Sequence, residues 1–288
     1  MSTRSSKGEV NKTSLSFNIP DFLHIYTNES NIDWNLLKIY IEQKIGTGIT
    51  VDVRKDFLFY NTRETQDLNF IAEQLVKTKV FDVSNPTREY DPFPVEIKHE
   101  MDLIKDPEKK VFGMLYDGFK LQTLFRGLIS SGESNFKHLH LVFTNRSIGT
   151  WDRGDGRYHA RTSVYGFPCI ISSPGLVEAP AKPREFYILR KALVVSGMAR
   201  ELVEAELKDK FRDTFIDYED ERLTDIVKGY ILQAFFYHTT FEPFCEDKNC
   251  RLFNAHWQED MMHAQLTGKD FCDKHEGILE EIKTKMKK

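Results

Sequence analysis

No stretch of the 288-residue sequence approaches the roughly 18–20 consecutive apolar residues that cross a bilayer, and its opening residues, MSTRSSKGEVNKTS, lack the apolar segment of a secretory leader. Both absences point to a soluble, cytoplasmic chain with no membrane partner. An excess of basic charge is missing too, since 40 Lys and Arg stand against 44 Asp and Glu for a net charge of -4. A protein whose main task is to neutralise nucleic-acid phosphates needs the opposite balance, so nucleic acid is not an expected partner. Cysteine is scarce: four residues are too few for a disulfide scaffold at this length. Three of the four nevertheless fall between positions 245 and 272 beside several histidines, and in a reducing compartment such clustering favours a metal over a disulfide. Repeats are absent, and low complexity is confined to the polar residues 1–17, which read as a flexible tail.

What remains can build a sizeable core, with 40% hydrophobic and 12% aromatic residues. FLHIYT (22–27) reads as a short strand, DWNLLKIYIEQKIG (33–46) as a helix closed by Gly46, and ITVDVRKDFLFY (49–60) as a second strand. This β-α-β order predicts an α/β fold with a mixed sheet. A helix is expected over 65–80, a Pro-rich connection over 85–97 and a helical stretch over 113–129. Strands follow at 137–146, within 151–166 and at 167–175, the last ending in a Pro-Gly turn, and helices then dominate over 185–208 and 219–240. The chain divides into the tail, an N-terminal α/β portion (18–130) and a C-terminal portion (131–288).

The C-terminal segment carries the sharpest chemical signal. Cys245 and Cys250 are separated by four residues, twenty-one more lead to Cys272, and His275 follows after two intervening residues. Two short ligand pairs joined by a loop suit a closed tetrahedral zinc site, because each pair spans one edge of the tetrahedron. The same residues are compatible with buried free thiols and a surface histidine. Zinc in small sites of this kind contributes roughly 10–16 kcal/mol in peptide hosts, enough to hold a loop-rich end folded.

At these residues the sequence resembles the archaemetzincins, zinc metallopeptidases of the metzincin clan found mainly in archaea. Their pattern runs H-E-x-x-H-x-x-G-x-x-H-C, then four residues, a second Cys, a Met two positions later and a final C-x2-C pair. Cys245, Cys250 and Cys272 match three of the family's cysteines, and His275 stands at the fourth. The segment LVFTNRSIGTWDRGDGRYHARTSVYGFPCIISSPGLVE is similar to the strands that precede the family's active-site helix. The resemblance implies a metzincin-like mixed sheet with a zinc-stapled C-terminal lobe. It also implies that the three catalytic ligands fall at Ala234, His238 and Phe244, the general base at Phe235, the turn glycine at Phe241 and the Met-turn residue at Leu252. Only His238 keeps the required chemistry. Three imidazoles and a carboxylate are needed to hold a hydrolytic zinc and accept a proton from its water, so peptide hydrolysis at the inherited site is not expected. The expected protein binds zinc and holds a peptide or small molecule in the old cleft, as a pseudoenzyme.

A different class of function remains open, a hydrolase with a second metal at a rearranged site. AHWQEDMMHAQL, read as helical, puts His256, Asp260 and His263 on one face beside Glu259, and His238 with Glu242 forms a similar pair; His238, Glu259 and His263 are its catalytic candidates. The same residues also make an ordinary polar face. His138 and His140 alternate on one strand with His159 placed on a neighbour, and Arg157 and Arg161 would make that face basic, suited to carboxylate or phosphate or simply to solvent. Cys169 reads as a core thiol, and Glu178 as a carboxylate near the pocket.

Overall fold

The computed structural model describes residues 17–287 apart from 63–66, 110, 112 and 213, so the expected tail lies outside the described residues up to position 16. Strand β1 (Phe22–Tyr26) leads into α1 (Trp34–Ile45), which starts where the Asp33 carboxylate accepts the Leu36 N–H and stops at Gly46, whose φ of 114° few side chains tolerate. β2 (Thr50–Arg54) returns parallel to β1. The predicted strand over 49–60 is corrected here. Asp56 caps the Phe59 N–H and turns the following residues into α2 (Phe57–Asn61).

Next come α3 (Leu68–Lys77) and α4 (Pro94–Lys105). The Pro-rich connection therefore ends in a helix that the sequence reading missed. Pro94 opens it, and the Glu96 carboxylate reaches back to the Phe93 N–H. The helical stretch over 113–129 divides into β3 (Leu115–Asp117) and α5 (Gly118–Leu128), because Asp117 accepts the N–H groups of Phe119 and Lys120. β4 (His138–Thr144), β5 (Ser147–Asp152), β6 (Arg157–Arg161), β7 (Ser163–Val164) and β8 (Cys169–Ser172) follow. The expected Pro-Gly turn is instead the first turn of α6 (Ser173–Glu178), capped by Ser172. The helix expected over 185–208 is broken into α7 (Arg184–Val195) and α8 (Arg200–Lys210), with Gly197 at φ 79° between them. α9 (Leu223–Thr240), α10 (Gln258–Met262) with a wider π turn at His263–Thr267, and α11 (Asp273–Met286) complete the chain.

The strands form two mixed sheets, which gives the expected α/β class. The larger runs β2-β1-β4-β8-β7, parallel except for β7; the smaller runs β3-β5-β6. Alternation along β1 and β4 sends Leu23, Ile25, Leu139, Leu141 and Phe143 to one face, where α1, α9 and α11 pack. Tyr26, Val142 and Ile170 face the other way, against α2, α3 and α5. A helical hairpin of α7 and α8 buries its own cluster around Phe186, Val203 and Leu207. No helix among the described residues is long and apolar enough to cross a membrane.

Candidate metal centre and adjoining cleft

Cys245 and Cys250 flank a tight turn just beyond α9. The Asp247 N–H points at the Cys245 Sγ (3.4 Å), and the Cys250 N–H donates to the Asp247 carbonyl (3.0 Å). Cys272 is the N-cap of α11 and His275 lies in its first turn, so one helix start supplies the second pair. Phe236 of α9 and the buried Leu279 and Ile282 of α11 join the core that seats both pairs. The three Sγ atoms and the His275 ring nitrogen all lie within 4.8 Å of one another. Cys245 Sγ and Cys272 Sγ are 3.8 Å apart, Cys250 Sγ and His275 Nδ1 3.7 Å, and Cys272 Sγ and His275 Nδ1 3.1 Å. A disulfide needs about 2.05 Å. A tetrahedral ion with bonds of about 2.3 Å to sulfur and 2.0–2.1 Å to nitrogen separates its sulfurs by about 3.8 Å and sulfur from nitrogen by about 3.6 Å. The donors thus fit a metal, and four protein ligands leave it no open position.

Burial pushes the Cys250 thiol up to about 12 and raises that of Cys245, while burial lowers His275 and keeps its ring neutral. Thiols so placed become thiolates only against a compensating cation, which is what a divalent metal supplies.

Beside this cluster a cleft of about 480 Å³ runs between the β6–β7 stretch and α9. Arg161 and Tyr165 line one wall, Gln233 and Tyr237 of α9 the other, and Phe244 closes one end. The Tyr165 hydroxyl donates to Gln233 Oε1 (2.6 Å) and ties the walls together. The α9 positions singled out by sequence are differently placed. Ala234 and Phe235 are fully buried in the core, and His238 is buried with its Nε2 on the Phe136 carbonyl oxygen (2.9 Å). At Phe241, the only non-glycine with positive φ among the described residues, the chain turns out of α9 at φ 61°.

The rearranged site is not assembled. Residues 254–257 precede α10, so His256 leaves the helical face expected to hold it with Asp260 and His263; Gln258 sets the helix start by donating to the carbonyls of Leu176 and Val177 (3.0 Å each). His263 Nε2 meets Asn249 Oδ1, Asp260 pairs with Lys248, Glu242 with Lys274, and Glu259 is exposed. Among the described residues, His238, His256 and His263 are not part of any group close enough to share a metal ion. The trio of strand histidines also separates, because His159 lies in the smaller sheet, paired with Asp155 (2.8 Å). Arg161 and His159 line the cleft and Arg157 does not. Glu178 is exposed, accepts from the Tyr218 hydroxyl and stands outside the cleft. Cys169 is the core thiol expected, pushed up to about 12 by burial. His138 and His140, by contrast, meet residues that sequence reasoning passed over: His138 meets His24, His140 meets Tyr26 and the Glu133 carbonyl, and Asp52 and Arg54 join the group through His24 and Glu133. Strand register and the loop before β4 join them, and neither has a local signature.

Compared with known proteins, residues 20–282 match the model of a family described as "Probable metallopeptidase family (DUF6775)". No curated protein and no solved structure matches the chain.

Proposed function

The chain belongs to that probable metallopeptidase family, and from this premise we propose that it is an archaemetzincin-like, zinc-stapled binding protein that has lost peptide hydrolysis and holds an extended peptide in the cleft beside α9. The observation that carries the reading is the pairing of a complete Cys3His donor set with a helix α9 that offers one imidazole, already engaged with a backbone carbonyl. Three thiolates and an imidazole favour zinc over the harder divalent ions. Cys245, Cys250, Cys272 and His275 would hold it, and what it supplies there is cross-linking of α11 to the end of α9. The left-handed turn at Phe241 supports the archaemetzincin kinship, since it stands where that family's pattern has glycine.

The occupant follows from the walls. β7 is at the end of the sheet order with β8 as its strand neighbour, so its outer edge can accept an added strand. Arg161 gives the cleft a cationic side, which suits a peptide bearing carboxylates.

The test joins elemental analysis to a peptide library read by mass spectrometry and fluorescence anisotropy. The proposal expects a chelator-resistant zinc lost in Cys272→Ser, retention of acidic extended peptides weakened in Arg161→Ala, and no cleavage. Zinc-dependent cleavage that disappears in His238→Ala would overturn it in favour of a working peptidase, and absence of thiolate-bound zinc would remove its basis.

A further inference from the structure

We propose that His24, His138 and Glu133 form a second metal site, for a divalent transition ion such as zinc, on the face of the larger sheet opposite α9. It goes beyond the cleft reading and stands without it. In the parallel register of β1 and β4, Phe22 lies beside His138 and His24 beside His140. His24 and His138 are therefore diagonal neighbours on one face, within reach of each other across adjacent strands. Their ring nitrogens meet at 2.9 Å (His24 Nε2 to His138 Nδ1), and Glu133 Oε1 lies 3.9 Å from His24 Nε2. One donor atom from each of the three falls within 4.8 Å of the other two. Imidazole and carboxylate donors bound at about 2.0–2.2 Å in a tetrahedron stand about 3.4 Å apart, so the two His24 separations lie within about half an ångström of that spacing, and side-chain shifts of about an ångström bring all three donors onto one ion.

The surroundings hold the donors as a metal site requires. His24 is buried, and its other nitrogen, Nδ1, faces Asp52 Oδ2 at 3.3 Å, which fixes the ring and leaves Nε2 turned toward His138 and Glu133. Arg54 grips both Glu133 oxygens at 2.7 Å and also reaches Asp52 at 2.6 Å, anchoring both carboxylates. An ionised carboxylate has about four lone-pair sites, so Glu133 retains acceptor capacity. The two carboxylates and one guanidinium sum to a net charge of -1, which favours a cation. His140 Nε2 on the Glu133 carbonyl (3.1 Å) pins the loop that carries the acid. His138 and Glu133 are half-buried, so the ion has a route in, and three protein ligands leave a position open to water or an exogenous carboxylate.

A proton shared between the two facing rings is what the ion would replace. His138 moves its proton from Nδ1 to the other ring nitrogen, and each ring then offers one lone pair to the metal.

The experiment uses full-length protein with its thiolate site loaded, stripped of loosely held ions with a mild chelator and titrated with Co(II) in a calorimeter and a spectrophotometer. The expected result is one additional Co(II) per chain, showing only weak visible bands because no sulfur is involved, whereas Co(II) at the thiolate site adds intense sulfur-to-metal absorption. His138→Ala should lose that event, and Asp52→Asn should weaken it by about 10–100-fold while leaving the ligands in place. Zinc-soaked crystals should show anomalous density between the three donors, which keeps the test decisive should a variant fold poorly. No binding beyond the thiolate site, unaltered binding in His138→Ala, or no density there would overturn the proposal. The sulfur-free spectrum separates its failure from failure of the thiolate-zinc reading.

Discussion

Withdrawing the ion from the Cys3His cluster should unfold the C-terminal lobe before the sheet. The donors tie together two short segments and the start of α11, and two of the three thiols are held above their usual range by burial, so the cluster by itself has little electrostatic reason to stay closed. Zinc bound by such donors contributes roughly 10–16 kcal/mol in peptides, comparable with the entire 5–15 kcal/mol stability of an ordinary domain. Where free zinc exceeds its dissociation constant, each tenfold change in zinc alters stability by about 1.4 kcal/mol, or about 3–6 °C in Tm for a chain of this size. Zinc-buffered thermal unfolding measures that slope. Hydrogen exchange followed by mass spectrometry locates the change: protection over residues 245–286 should collapse on chelation while β1, β4 and β8 keep theirs. A Tm indifferent to free zinc over three decades, or unchanged protection at α11 after stoichiometric metal removal, would refute the reasoning.

Three further outcomes are expected. Glu100 is fully buried among Lys79 (2.8 Å), Arg146 (3.0 Å) and the Tyr116 hydroxyl (2.7 Å), so Glu100→Gln strands two cations and should cost about 3–5 kcal/mol in denaturant unfolding; a loss below about 1 kcal/mol would mean that the carboxylate carries no charge. Burial would raise this carboxyl, but Arg146 and Lys79 outweigh it and hold it below the ordinary 4.5, so its stabilisation is present above that pH and is lost as pH falls through the depressed folded value. Gly229→Ala should destabilise by about 1–3 kcal/mol, although alanine usually gains about 0.5–1 kcal/mol inside a helix, because a methyl there meets the buried Gln265 side chain at 2.0 Å; a higher Tm would contradict the packing. Placing imidazoles with Ala234→His and Phe244→His should lower stability by roughly 2–6 kcal/mol without adding a metal at α9, since position 234 is fully enclosed by core side chains; an extra zinc in the double variant would show that the helix can open.

What the sequence made legible was mostly local. β1 and β4 read correctly because their apolar residues lie within each segment, and α1 because apolar spacing is bracketed by a capping Asp33 and Gly46. The Cys3His donors were legible for a similar reason: ligand type and short spacing are carried by adjacent residues, and two such pairs needed only to meet. Errors arose where a single side chain decides the backbone, as at Asp56 and Asp117, whose carboxylates start helices inside stretches whose pattern runs on without interruption. Others arose where a distant contact decides. The start of α10 depends on Gln258 reaching residues 81 and 82 positions earlier, and His24 meets His138 across 114 positions. No periodicity encodes either meeting.

The Cys3His cluster and the cleft are joined by packing, and this bears on what a bound ion would do. The Phe236 ring stands edge-on to the His275 imidazole with centroids 5.2 Å apart and leans on Phe271, so the last turns of α9 rest on a ligand of the cluster. Tyr237, the next residue, faces the cleft, and Phe244, which closes the cleft's end, precedes the ligand Cys245 in sequence. Thirteen of the eighteen residues of α9 are buried, so the helix is clamped along its length, its last turns included. An ion held by four protein donors could not offer a coordination position to a substrate, yet it would fix the wall against which a bound segment would lie. A helix whose inner face is given over to core packing can in this way still border a metal-dependent cleft. Peptide affinity should accordingly fall with zinc occupancy even though no peptide atom touches zinc, and affinity that survives complete removal of the thiolate-bound ion would break that link.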